Sequence, residues 1–178
     1  VTLAATDESI KNADNEADYR NSGGHILEGP EYLTVFSGKD GHAVHTIYYN
    51  PNRAFTVGGA PTYAEGWGDF YGNRSERYLA CVAFLGGKNQ NPSAVMCRGY
   101  YTRSYLWAVD FDGKSLSTRW LHASTSPQEW AVTDGDGKQI AGATGLKATA
   151  YGQGAHSIAV GDVDGDVCDE ITYGSAAI

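Results

Sequence analysis

The sequence predicts an all-β protein. Glycine (23) and tyrosine (12) are abundant while methionine occurs once, and hydrophobic residues (42%) come in short runs broken by Gly, Asn, Asp and Ser. The runs are rich in β-branched and aromatic side chains, which suit many short strands better than long helices. At 178 residues the chain falls in the range of one domain and is long enough to bury a real core.

Residues 1–30 are polar, with Asp14, Glu16, Asp18, Asn21 and a Gly23-Gly24 pair, and read as loop with at most one short strand over 1–5. Residues 31–49 read as a hairpin, two alternating strands around a turn that holds Gly38, Asp40 and Gly41. A long irregular stretch, 50–74, follows. Two apolar runs, 78–85 and 93–101, flank a loop over 86–92, and pairing them about its centre sets Leu85 opposite Ser93 and Cys81 opposite Cys97. That register leaves a disulfide and two buried thiols as alternatives; directly opposed strand residues strain a disulfide, which favours the thiols.

Runs 106–111 and 116–121, joined by Asp112-Gly113-Lys114, form a third hairpin. Residues 78–122 then amount to four consecutive antiparallel strands, the content of one propeller blade. Residues 123–150 read as an inserted surface loop with its own turn at 134–138, and strand signals resume over 157–161 and 171–174. With the insertions excluded, hairpins recur near the roughly 40–50-residue period of blades. The organisation is an initial loop and outer half-blade (1–49), one blade (78–122), the inserted loop (123–150) and an inner half-blade (151–178). Two and a half blades cannot close a ring, so the reading expects residues 1–178 to be part of a larger β-propeller protein.

Between the last two strand runs lies Asp162-Val163-Asp164-Gly165-Asp166-Val167-Cys168-Asp169-Glu170, with carboxylates at alternate positions and at its end. Ca²⁺ takes about six to eight oxygens at about 2.3–2.6 Å, and a tight loop can aim alternate side chains at one point. An EF-hand would set a longer loop between helices. The bland alternative is a solvated acidic turn, but clustered carboxylates repel one another without a cation. The expectation is a structural Ca²⁺ held by Asp162, Asp164, Asp166 and Glu170, with Cys168 offering only its carbonyl.

The net charge of −8 and pI near 4.9 argue against a nucleic-acid partner. An acidic ligand would have to be met by local Arg or Lys or by a bound cation. No apolar run of about 18 residues exists to span a membrane. The start at Val1 shows no basic-then-apolar signal region, which fits a mature or trimmed chain. Cys81, Cys97 and Cys168 have no zinc spacing.

Several motifs, in order along nearly the whole chain, carry a family likeness. They are Asp18-Tyr19-Arg20-Asn21, Gly29-Pro30-Glu31-Tyr32-Leu33-Thr34-Val35-Phe36, Trp67-Gly68-Asp69 with Tyr71-Gly72-Asn73-Arg74, Arg98-Gly99-Tyr100-Tyr101-Thr102-Arg103, Tyr151-Gly152-Gln153-Gly154 with His156, and Gly161 to Asp166. Together they resemble the family 11 polysaccharide lyases, the rhamnogalacturonan lyases. The resemblance implies an eight-bladed, calcium-containing β-propeller, of which this chain would be the middle portion. It implies cleavage of rhamnogalacturonan I between rhamnose and galacturonate by β-elimination, in a protein secreted by pectin-degrading bacteria to the periplasm, the cell surface or beyond. It matches His156 to a histidine that helps hold calcium; from the residues alone, a histidine at the head of a strand reads as a hydrogen-bonded structural residue.

β-Elimination needs removal of the proton at C5 of galacturonate, which is weakly acidic while the adjacent carboxylate keeps its charge. A cation or arginine can neutralise that carboxylate and a base then takes the proton; no catalytic base is named. Residues 98–103 alternate along one strand, so Arg98, Tyr100 and Thr102 share one face, opposite Gly99, Tyr101 and Arg103. Arg98, Tyr100, Tyr101 and Arg103 are the candidate sugar contacts, since Tyr stacks on pyranose rings and Arg pairs bidentately with carboxylates. The alternative is a packed strand with an arginine salt bridge. Val167, Ala155 and the 123–150 insertion depart from the simplest form of the motifs, Val167 standing where such loops carry a left-handed glycine. The rival function is a non-catalytic carbohydrate-binding or calcium-stabilised interaction module, and a structural piece with no ligand is a third.

Overall fold

The computed structural model describes residues 2–5, 18–27, 29–52, 67–68, 72–152, 157–174 and 176–178. Among them twelve strands form. The strands β1 (Thr2–Ala5), β2 (Glu31–Phe36) and β3 (Ala43–Tyr48) make one antiparallel sheet. A second holds β4 (Tyr78–Ala83), β5 (Ser93–Arg98), β6 (Tyr105–Phe111), β7 (Leu116–Ser126), β8 (Glu129–Asp134) and β9 (Gln139–Ala143) in sequence order. A third holds β10 (Ile158–Gly161), β11 (Glu170–Tyr173) and β12 (Ala176–Ala177). The all-β prediction holds.

Side-chain alternation assigns the six-stranded sheet a partner on each face. Val95 and Cys97 of β5 and Leu106 and Ala108 of β6 turn to one side, where Ile171 and Tyr173 of β11 pack. Met96, Trp107 and Val109 turn to the other, against Leu33 and Tyr49. Being buried on both faces, β6 reads as a nearly continuous apolar run. Each fully buried Leu or Val here contributes about 1.5–3 kcal/mol by leaving water, and Leu106→Ala is expected to cost about 2–5 kcal/mol. In the β2–β3 hairpin, the Thr34 and Thr46 hydroxyls meet at 3.0 Å and the Tyr32 and Tyr48 rings stack at 5.1 Å.

Three expectations need correction. The β4–β5 register is slipped by two residues: Ala83 pairs with Ser93, Cys81 with Val95 and Leu79 with Cys97. Phe84 leaves the ladder because its backbone is taken elsewhere, its N–H donating to Asp169 Oδ2 at 2.7 Å and its carbonyl accepting from Asp169 N at 3.1 Å. The cysteines are free thiols, Cys97 buried and Cys81 half-buried.

The stretch 123–150 is not an inserted loop. Strand β7 runs on to Ser126, and β8 and β9 add two strands, so the sheet has six strands where four were expected. The anticipated turn is there: Asp134 Oδ1 accepts from the N–H groups of Asp136 (3.0 Å) and Lys138 (2.9 Å).

Nor does β5 continue past Arg98. Gly99 (φ 83°) and Tyr101 (φ 64°) break the extended chain, so the predicted sharing of faces from Arg98 to Arg103 does not apply.

Candidate functional site

The acidic loop joins β10 to β11, whose ladder closes with Gly161 opposite Glu170. Asp162, Asp164 and Asp166 are exposed, and one carboxylate oxygen from each lies within 4.8 Å of the others. Two oxygens on one Ca²⁺ can be separated by up to about 5 Å, so this spacing fits a shared ion and the all-oxygen donor set suits a hard cation. The loop organises itself around its carboxylates. Asp162 accepts from Gly165 N (2.8 Å) and Val167 N (3.1 Å), Asp164 from Asp166 N (3.1 Å), and Asp166 from Cys168 N (2.8 Å).

Glu170 stands outside the trio; its Oε2 accepts from Val163 N at 2.8 Å and ties the loop's end to its start. Val167 has φ 75°, the left-handed conformation anticipated at this position, as does Gly165 at 82°. Sequence reasoning missed Asp169, which clamps the loop to Phe84 as described above. The β4–β5 loop is therefore tethered to the acidic turn. His156 lies outside the described residues.

Arg98 is not a sugar contact. Its side chain is fully buried, with Nη1 donating to Glu31 Oε2 at 2.6 Å and to Pro51 O at 2.7 Å, Nη2 to Glu31 Oε1 at 3.0 Å, and Nε to Ser75 O at 2.7 Å. The guanidinium also lies over the rings of Trp67 (4.6 Å), Tyr78 (5.1 Å) and Tyr49 (5.6 Å). Tyr78 Oη donates to Glu31 Oε1 at 2.8 Å, and burial pushes its phenol well up, so it remains a neutral donor. A charge this deep needs such a shell, and the packed-strand alternative describes Arg98 correctly.

The other three residues of that motif lie in the turn after β5, among side chains that sequence reasoning did not bring together. The Tyr100 and Tyr101 rings are 4.2 Å apart; Tyr100 is buried, whereas Tyr101 is 60% exposed. Exposed Arg77 lies over Tyr100 at 5.2 Å and Arg74 over Tyr101 at 5.9 Å. Asn73 Nδ2 donates to Tyr100 Oη and its Oδ1 accepts from Arg77 Nη2, both at 2.8 Å. Half-buried Arg103 lies over Tyr151 at 5.7 Å, and Gly152 N donates to Thr102 O at 3.1 Å. Tyr173 Oη donates to Gly99 O at 2.7 Å, pinning the turn from beneath.

A separate apolar cavity of about 390 Å³ lies beside β8 and β9, lined by His122, Trp130, Val132, Leu146 and Ile178 among others. Burial lowers the His122 imidazole to about 4, and its Nδ1 has no hydrogen-bond partner among the described residues. It is a neutral core histidine.

Residues 2–178 match the sequence model of the rhamnogalacturonan lyase family 11 C-terminal domain. The chain belongs to rhamnogalacturonan lyase family 11. This assigns it to the family's C-terminal domain, which corrects the expectation of a middle portion. Within the family, it is 46% identical over 165 residues to the rhamnogalacturonan exolyase YesX of Bacillus subtilis (strain 168), covering 93% of this chain and 22% of that protein. It is 40% identical over 177 residues to the rhamnogalacturonan endolyase YesW of the same strain, covering 99% of this chain and 24% of that one.

The crystal structure of the exotype lyase YesX superposes with a TM-score of 0.71, at 45% identity over 92% of this chain and 22% of that chain. A Bacillus licheniformis rhamnogalacturonan lyase gives 0.69, also at 45% identity, over 92% of this chain and 23% of that one. The family 11 chain described here thus spans about a quarter of the length of these relatives.

Proposed function

We propose that the chain works as part of a secreted rhamnogalacturonan lyase, cleaving the backbone of rhamnogalacturonan I by β-elimination within a calcium-containing β-propeller. The observation that carries this reading is the family match over residues 2–178, joined by two relatives named as lyases at 46% and 40% identity. Three antiparallel sheets in chain order, the central one packed between the others, support the propeller architecture. Among the described residues no helix is long and apolar enough to cross a membrane. Because a plant cell-wall polymer cannot enter a cell intact, the protein meets it outside the cell, at its surface or in the periplasm.

Asp162, Asp164 and Asp166 would hold the Ca²⁺ with Glu170 closing the loop, and the bound ion would supply charge neutralisation that keeps the turn compact. The role is structural, because the turn is fastened to β4–β5 through Asp169 and Phe84. Arg98 and Glu31 keep the turn after β5 in place by anchoring the strand from which it springs. Within that turn, Tyr101 and Arg103 are the members of the sequence-derived contact set best placed to meet sugar.

The full-length protein incubated with rhamnogalacturonan I should release products carrying the ultraviolet absorbance of an unsaturated uronide, and a chelator should slow the reaction. Saccharide binding without that absorbance would instead identify a non-catalytic binding module.

A further inference from the structure

Tyr101 is held in a left-handed backbone conformation, φ 64°, that is uncommon for an aromatic residue, and strain of this kind gathers at functional sites. The ring it presents is 60% exposed although packed beside Tyr100. Burial therefore does not explain why a large aromatic side chain occupies a position that glycine would fill without strain. Arg74 lies over it at 5.9 Å. On a chain of net charge −8, three of the seven arginines, Arg74, Arg77 and Arg103, border this turn and its neighbour at Tyr151.

Stacking and the Asn73 bridge hold Arg77 in one orientation, so little side-chain entropy remains to be lost on binding. Glu76, the carboxylate between Arg74 and Arg77 in sequence, faces inward, where its Oε1 accepts from Ser75 Oγ at 3.3 Å and lies 3.7 Å from Arg98.

We propose that Tyr101, with Arg77 and Arg103, forms a binding face for a uronate residue of the polysaccharide, the phenol ring stacking on the pyranose and the guanidiniums pairing with its carboxylate. This rests on the lyase reading for the polymer's identity, whereas its geometry stands alone. The face is a binding element, and no proton transfer is assigned to it.

The test uses the full-length protein, titrated calorimetrically with rhamnogalacturonan I oligosaccharides, oligogalacturonate and a neutral galactan oligosaccharide. Tyr101→Gly relieves the backbone strain, so the variant should melt no lower than wild type while binding both acidic ligands at least tenfold more weakly. Tyr101→Phe should retain the affinity. Arg77→Gln should weaken acidic binding severalfold and flatten its salt dependence, leaving the neutral ligand unaffected. Wild-type affinity in both Tyr101→Gly and Arg77→Gln would overturn the proposal, as would a wild-type protein that binds neither acidic oligosaccharide. Tyr101-dependent binding without unsaturated product would uphold the face and sink the lyase reading; product with unaltered variants would do the reverse.

Discussion

Arg98 and Glu31, separated by 67 positions, form a paired hydrogen bond at 2.6 and 3.0 Å that joins the last residue of β5 to the first residue of β2 in complete burial. The pair fastens two sheets that have no shared ladder. Removing one partner strands the other charge. Arg98→Met or Glu31→Leu should each cost about 3–5 kcal/mol in chemical denaturation, and the double variant Arg98→Met with Glu31→Leu should recover part of the loss. Equal and additive losses would mean that the two charges do not depend on each other.

The acidic loop predicts calcium-dependent stability. Chelation should lower the melting temperature by several degrees, since an ion at about 100 times its dissociation constant contributes about 2.7 kcal/mol. Asp164→Asn should shrink that shift and, by removing one of three mutually repelling carboxylates, leave the calcium-free protein no less stable than wild type. A melting temperature indifferent to both chelator and calcium would remove the ion from the account.

Val167 makes a sharper test of the same loop. A β-branched residue in the left-handed region costs about 1–2 kcal/mol, partly offset by the extra freedom that glycine has when unfolded. Val167 is 60% exposed, so little packing is lost, and Val167→Gly should stabilise the protein by about 1 kcal/mol in saturating calcium. Destabilisation would show that the side chain's contact near Gly87 matters more than backbone strain.

His122 sets a pH dependence. Burial lowers its folded-state value to about 4 from an ordinary 6.5, so between those values the unfolded chain binds a proton that the folded one refuses. Stability should therefore fall as pH drops through that window, by on the order of 3 kcal/mol in all. His122→Phe should flatten this part of the profile, read by denaturant midpoints at successive pH values. An unchanged slope would assign the effect to other groups.

Gly99 tests the turn. With φ at 83° and an added methyl running into the Arg103 carbonyl oxygen, Gly99→Ala should cost about 2 kcal/mol or more and displace Tyr101 as well. Normal stability would mean that the turn tolerates rearrangement.

What the amino-acid order determined by itself was local. Alternating β-branched and aromatic runs marked the hairpin over 31–49 and the strands of 78–122, and three aspartates two positions apart marked a loop whose carboxylates converge, because periodicity and spacing act over a few residues. Only the tertiary structure decided which partners those elements met. Asp169 capturing the Phe84 backbone shifted the β4–β5 register by two, a choice invisible to pairing by loop symmetry. Arg98 was open to both a sugar contact and a salt bridge until Glu31, far away in sequence, closed over it. Trp130 and Val132 became strand residues because β7 ran on to offer them a ladder. Burial and long-range hydrogen bonding depend on neighbours brought together by chain folding, and no window of adjacent residues contains them.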